Sequence, residues 1–247
     1  MVNVFNLKEK FEFLEDGIDF PFYNNIPKLS TWEWAILVVG VILFWAIISV
    51  PSFLPEYRPF LYFLVTVVPA LYVCKGNYSI FFKKVRARDI KTIILCLIGY
   101  VIYSAIIILV LYLVGAPATD DAALKAGASK AIYFIGLVLQ LFGEEFFKIS
   151  LLLIVMYLVY NFTDNRNLAI RIGIFITLLL FGLAHLSAYG NLLQVVLLQG
   201  FGSIFDLYAY MKTKNVFVSY IFHLAVDLFG SLHVLMGWCF RGFSHFP

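Results

Sequence analysis

The chain has 247 residues, of which 62% are hydrophobic and only 13% charged, and its formal net charge is +3. Soluble domains carry about a quarter charged residues, so this composition excludes an ordinary soluble domain. A surplus of three positive charges makes no case for a nucleic-acid partner, and the pattern is that of an integral helical membrane protein.

In chain order, the first thirty residues are acidic and aromatic (FEFLEDGIDFPFYNN), with no short apolar core or small-residue cleavage site. No cleavable signal peptide is expected. Residues 1–30 are expected to form a cytoplasmic segment, and 31–247 one integral membrane domain. Hydropathy predicts seven spans: Trp32–Val50, Pro59–Cys74, Thr92–Val114, Ala131–Tyr160, Leu168–Tyr189, Leu192–Tyr210 and Val216–Phe240, with eight the alternative. The fold class is all-α, a polytopic transmembrane bundle. Pro69 predicts a kinked or partly embedded second helix. The fourth segment is too long for one upright span at about 1.5 Å per residue. It must tilt, extend into the cytoplasm or break, and Gly143 offers a place to break. The last segment can likewise end near Gly230. Cys74, Cys96 and Cys239 lack metal-type spacing and predict no disulfide framework.

Charge sets the expected orientation. With the N-terminus inside, 13 basic residues fall on inner segments and 4 (Arg58, Lys125, Lys130 and Arg241) on outer ones, with Lys148 inside the fourth span. This is a positive-inside bias. The cluster KKVRARDIK before the third span is read as a topology determinant on an interfacial helix, with a lipid-headgroup or partner site as the alternative.

Four groups of polar residues interrupt the apolar segments: Glu144, Glu145 and Lys148; His185; Asp206; and His223 with Asp227. Ionisable residues in a bilayer cost several kcal/mol unless paired or hydrated, so they usually face an interior cavity. Glu144 and Lys148 are four apart and can pair on one helix face; Glu145 lies three from Lys148. His223 and Asp227 are also four apart. Asp206 either lines a cavity or partners a basic or hydroxyl side chain. His233 and His245 are assigned no role. Two histidines and two glutamates can hydrolyse an amide: a glutamate activates water, and a histidine orients it or binds a metal. Alternatively, His185, His223 and a glutamate bind zinc with one open position. The helical HExxH motif is absent, as is a credible GxSxG.

The order of these groups resembles the CAAX protease and bacteriocin-processing (Abi) family of intramembrane endopeptidases. The matching motifs are Glu144-Glu145, Phe181-Gly-Leu-Ala-His185 and His223-Leu-Ala-Val-Asp227, within residues 131–240. The resemblance implies that Glu144 is the water-activating base and Glu145 its structural or electrostatic partner. It implies that His185 shares the water or a metal, with His223 and Asp227 serving the oxyanion or a second ligand pair. Catalytic residues on this reading are Glu144, Glu145, His185, His223 and Asp227, and His185 and His223 are the candidate zinc ligands. Two positions depart from the family pattern. Ile149 stands where the first motif usually has arginine, with Lys148 one residue earlier, and Asp227 stands where the prenyl-protease branch has asparagine. Both point to the bacterial branch, acting on membrane-associated peptides or precursors such as bacteriocin or quorum-sensing leaders. A non-proteolytic immunity or scaffold protein of the same fold is the alternative, and a proton-coupled transporter the third reading. Expected partners are membrane lipid and a peptide or membrane-protein substrate, with no nucleic acid; the expected location is the cell membrane.

Overall fold

The computed structural model describes residues 13, 17–50, 54, 57–119 and 130–235, with side chains from 136 to 230 in the last stretch. The expected end of the last span at Phe240, Cys239, His245, and the basic residues Lys8, Lys10, Lys125 and Arg241 lie outside these described residues, as does the side chain of His233. Among the described residues seven long helices succeed one another: α1 (Thr31–Ser49), α2 (Arg58–Val73), α3 (Ala87–Leu113), α4 (Lys130–Thr163), α5 (Arg166–Ala184), α6 (Leu192–Thr213, interrupted) and α7 (Val216–Leu235). Five segments, in α1, α3, α4, α5 and α6, are long and apolar enough to cross a membrane, and α2 and α7 are shorter apolar helices. The seven expected spans correspond to these helices.

Each start has a chemical cause. Ser30 accepts from the Glu33 N–H while the Glu33 carboxylate accepts from the Ser30 N–H, a capping box that opens α1. Pro59 opens α2, where its missing N–H costs nothing. Asn165 accepts from the Leu168 N–H at the start of α5. The basic cluster departs from expectation: Lys83 and Lys84 are not helical, and α3 begins only at Ala87. Lys83 is held instead by Asn215, which accepts from its N–H and donates to its carbonyl.

Helix α4 is the axis of the bundle. Every residue from Gly143 to Ile154 is buried, so the helix is enclosed on all faces there. It runs unbroken through Gly143. That glycine does not break the helix; it lets α2 approach. A Cβ on Gly143 would lie 2.8 Å from the Tyr62 carbonyl carbon and 2.9 Å from Phe63 N. Thr66 Oγ1 donates across this crossing, 2.9 Å from the Gly143 carbonyl. By contrast α3 sits at the edge, with Ile94, Leu95, Ile98, Val101 and Ile102 exposed, a surface suited to lipid.

The sixth helix is irregular for a reason that matters to the site. Val195–Gly200 is π-helical and Phe201–Ser203 is a 3₁₀ turn before regular helix resumes at Ile204. Gly182 of α5 and Gly200 of α6 meet backbone to backbone: a Cβ on Gly200 would lie 2.8 Å from the Leu178 carbonyl oxygen, and one on Gly182 would collide with the Val195 carbonyl. At one end of the bundle, the buried Phe20, Phe22 and Tyr23 pack beneath Phe81 and Tyr160. There Asp19 pairs with Arg166 through Nη2 at 2.6 Å and Nε at 2.8 Å.

Candidate functional site

The polar residues of the apolar segments converge on one place in the bundle. Glu144, Glu145 and Lys148 come from the enclosed part of α4, His185 from the residue that ends α5, Asp206 from α6, and His223 and Asp227 from α7. Counting residues puts His185 nearer one surface than the glutamates, but α5 ends at that residue and its ring turns inward. Its Nε2 lies 4.0 Å from Glu144 Oε2. His223 Nε2 lies 3.9 Å from the same oxygen and 3.9 Å from Asp227 Oδ1. Separations of this size are those at which one water is shared between two polar groups.

The two glutamates face different partners. Lys148 pairs with Glu145 at 2.6 Å and with Asp206, not with Glu144. The i, i+4 pairing expected of Glu144 therefore gives way to the i, i+3 pairing of Glu145. Asp206 supplies the second carboxylate from another helix, which settles it as a partner for a basic side chain. Glu145 Oε1 also accepts from His223 Nδ1 at 2.8 Å. Glu144 Oε1 accepts from Gln140 Nε2 at 2.8 Å, one turn earlier on α4. Its Oε2 is left facing the two imidazoles.

Both histidines are oriented through Nδ1. His185 Nδ1 lies 2.9 Å from the Phe181 carbonyl, which only accepts, so Nδ1 carries the proton. His223 Nδ1 donates to Glu145. In each ring Nε2 is thus the atom turned toward Glu144. Phe181 gives the group an apolar wall: its ring centroid is 4.7 Å from that of His185, 6.3 Å from that of His223, and 4.6 Å from Lys148 Nζ. The Phe-x-x-x-His spacing has a physical content here, since one residue supplies both the carbonyl that fixes the ring and the wall beside it.

Exposure grades across the cluster. The side chains of Glu144, Glu145, Lys148 and Asp206 are at most 2% exposed, while His185 is 15% and Asp227 35% exposed. Access therefore comes from the His185–Asp227 side. A cavity of about 320 Å³ between α3 and α6, lined by Cys96, Phe205, Tyr208 and Lys212 among others, includes none of these residues.

Metal binding was expected of His185 and His223. Among the described residues, the group of three whose ligand atoms lie within 4.8 Å of one another is Glu145, Asp206 and His223, without His185. Its donors suit a divalent cation, but the Lys148 ammonium already bonds both carboxylates and lies 3.5 Å from His223 Nδ1. A metal there would have to displace a buried cation, so this group does not fit one. Glu144 with the two Nε2 atoms offers the donor types of a hydrolytic zinc site and open access, but as placed these three do not form such a compact group.

Glu144, Glu145, His185, His223 and Asp227, the residues singled out in the sequence, lie together in the structure, joined by Gln140, which was not among them, and by Asp206, which had been given no place in the site. Gln140 was findable, being four residues before Glu144 on one helix face. Asp206 announced itself only as an acid in an apolar helix.

Residues 127–229, which contain all these groups, match the family model described as type II CAAX prenyl endopeptidase Rce1-like. Neither the curated proteins nor the solved structures hold a match to the chain. The match is consistent with the resemblance to the CAAX protease and bacteriocin-processing family and indicates a peptidase.

Proposed function

We propose that the protein is an intramembrane endopeptidase whose water is activated by Glu144, with His185 and His223 as its partners in the reaction. The observation that carries this reading is the convergence of two imidazole Nε2 atoms, from different helices, on one glutamate oxygen at 3.9 and 4.0 Å. A water held there loses a proton to Glu144 as its oxygen attacks the scissile carbonyl. His223, when protonated on both nitrogens, donates from Nε2 to the tetrahedral oxyanion. Collapse breaks the C–N bond, and Glu144 returns its proton to the leaving amine. His185, fixed by Phe181, holds the water in line. Asp227 cannot donate to an oxyanion while ionised, so we assign it to orienting His223. A divalent cation, if bound by Glu144 and the two Nε2 atoms, would polarise the water or carbonyl as a Lewis acid.

Substrates on this reading are membrane-associated peptides or protein precursors, including bacteriocin or quorum-sensing leaders, which bring an extended backbone to a site inside the bundle. The N-terminus is assigned to the cytoplasm, on the bias of basic residues. A non-proteolytic scaffold was suggested by the missing arginine; Lys148 supplies a buried cation beside the pair, which favours catalysis. The test is a panel of internally quenched peptides in proteoliposomes, comprising a farnesylated CAAX peptide and unprenylated amphipathic leader peptides. Cleavage by wild type and its loss in Glu144→Gln and His185→Ala is expected. Equal cleavage by the variants would remove the assignment.

A further inference from the structure

We infer that Asp206 is a positioning residue for this site, acting through Lys148 on His223; the inference rests on the reading of Glu144 and the histidines given above. Asp206 belongs to none of the three motifs. Yet it is fully enclosed, and both its oxygens are used: Oδ1 accepts from the Leu207 N–H at 2.6 Å and Oδ2 binds the Lys148 ammonium. Oδ2 also lies 3.8 Å from His223 Nδ1, the atom that donates to Glu145 at 2.8 Å. Two carboxylates thus stand beside one imidazole N–H. Lys148 holds Asp206 just beyond hydrogen-bond range, leaving the proton to Glu145. With that bond fixed, His223 Nε2 faces Glu144.

The backbone that delivers Asp206 is specialised for the purpose. The π-helical Val195–Gly200 stretch and the 3₁₀ turn Phe201–Ser203 depart from α-helical winding just before Asp206, so the facing of the rest of α6 is set by this irregular segment. The Gly182–Gly200 contact ties this stretch to the helix that ends at His185. The same packing contact therefore bears on both His185 and Asp206. The arrangement also gives Lys148 a role. Its single ammonium pairs with two carboxylates from two helices, the work of a cation that the sequence places one residue before the family's arginine.

The experiment is a double-mutant cycle between Lys148→Met and Asp206→Asn in proteoliposomes, read on whichever peptide of the panel wild type cleaves fastest. Asp206→Asn should lower kcat about tenfold with KM within about twofold. Lys148→Met, which takes the ammonium away from two buried carboxylates, should lower it about a hundredfold or more. The double variant should recover to within about tenfold of wild type, because both charges leave together. Lys148→Arg should keep most activity. An Asp206→Asn variant with wild-type kcat, or a double variant no better than Lys148→Met, overturns the inference. A second readout does not depend on cleavage: ¹⁵N NMR of the histidine side chains, with His223 assigned by its loss in His223→Gln. The His223 Nδ1 resonance should shift in Lys148→Met and return in the double variant; no shift in either overturns the inference. Failure of Glu144→Gln to reduce cleavage would instead strike the proposed function, and the NMR result would stand apart from it.

Discussion

Two clusters of charge in this bundle look alike in composition and differ in what they leave unpaired. At one end, the Asp19 carboxylate meets Arg166 in a two-point pair, and each of its oxygens takes a second bond, Oδ1 from the Phe20 N–H and Oδ2 from the Tyr23 hydroxyl. In the other cluster, four carboxylates (Glu144, Glu145, Asp206 and Asp227) accompany a single ammonium. Lys148 satisfies Glu145 and Asp206. Among the described residues Glu144 Oε2 and Asp227 Oδ1 have no ion-pair partner nearer than 3.9 Å. Full ionisation would leave a charge surplus that a low-dielectric interior does not tolerate, so protons or a cation must balance it. A saturated pair holds structure together, whereas an unsaturated carboxylate between two imidazoles is equipped for proton transfer.

The comparison can be broken most forcefully at the histidines. His185→Ala or His223→Ala should reduce peptide cleavage by about 10²–10⁴-fold, the usual range for a lost acid–base group, while the protein still purifies folded. An activity loss below tenfold in both would place the chemistry elsewhere. Next is the packing that brings the two histidine-bearing sides together. Gly182→Val puts a branched side chain against the Val195 and Gly200 backbone and should cost about 1–3 kcal/mol of stability with a drop in cleavage. A thermal midpoint equal to wild type would show that the crossing is looser than described.

The smallest effect belongs to the saturated cluster. Asp19→Asn should cost about 1 kcal/mol or less and leave cleavage unchanged, since the pair is a quarter exposed. Burial alone would raise the Asp19 carboxyl, but Arg166, Tyr23 and the Phe20 N–H outweigh it and hold it below its ordinary 3.8. A carboxyl depressed in the folded state adds stability above its unfolded value, and that stability is lost as pH falls through the folded one. Wild type should therefore lose stability below about pH 4 more steeply than Asp19→Asn. Parallel unfolding curves across that range would mean that the pair contributes nothing.

How far the sequence could be read follows the same division. Helices were legible because apolar runs of about 20 residues leave little other choice, and the glutamates and histidines stood out against them. Pairings along one helix were half legible: Lys148 lies within reach of both Glu144 and Glu145, and Asp206, arriving from another helix, lies with Glu145 around the ammonium. Of the three ways the long fourth segment could be accommodated, a break at Gly143 is the one the structure does not take, and a glycine that admits a neighbouring backbone looks, in sequence, like one that ends a helix. Of the two histidines expected to bind metal, only His223 belongs to the compact ligand group, and there the Lys148 ammonium, which only the fold reveals, already stands between the carboxylates.

The central claim is that Glu144 and His185, from different helices, act as one unit on one water. A double-mutant cycle on cleavage by wild type, Glu144→Gln, His185→Ala and the double variant tests it directly. If they form one catalytic unit, the double variant should be no more than a few-fold slower than the slower single variant. Losses that multiply, or a single variant that cleaves at the wild-type rate, would contradict it.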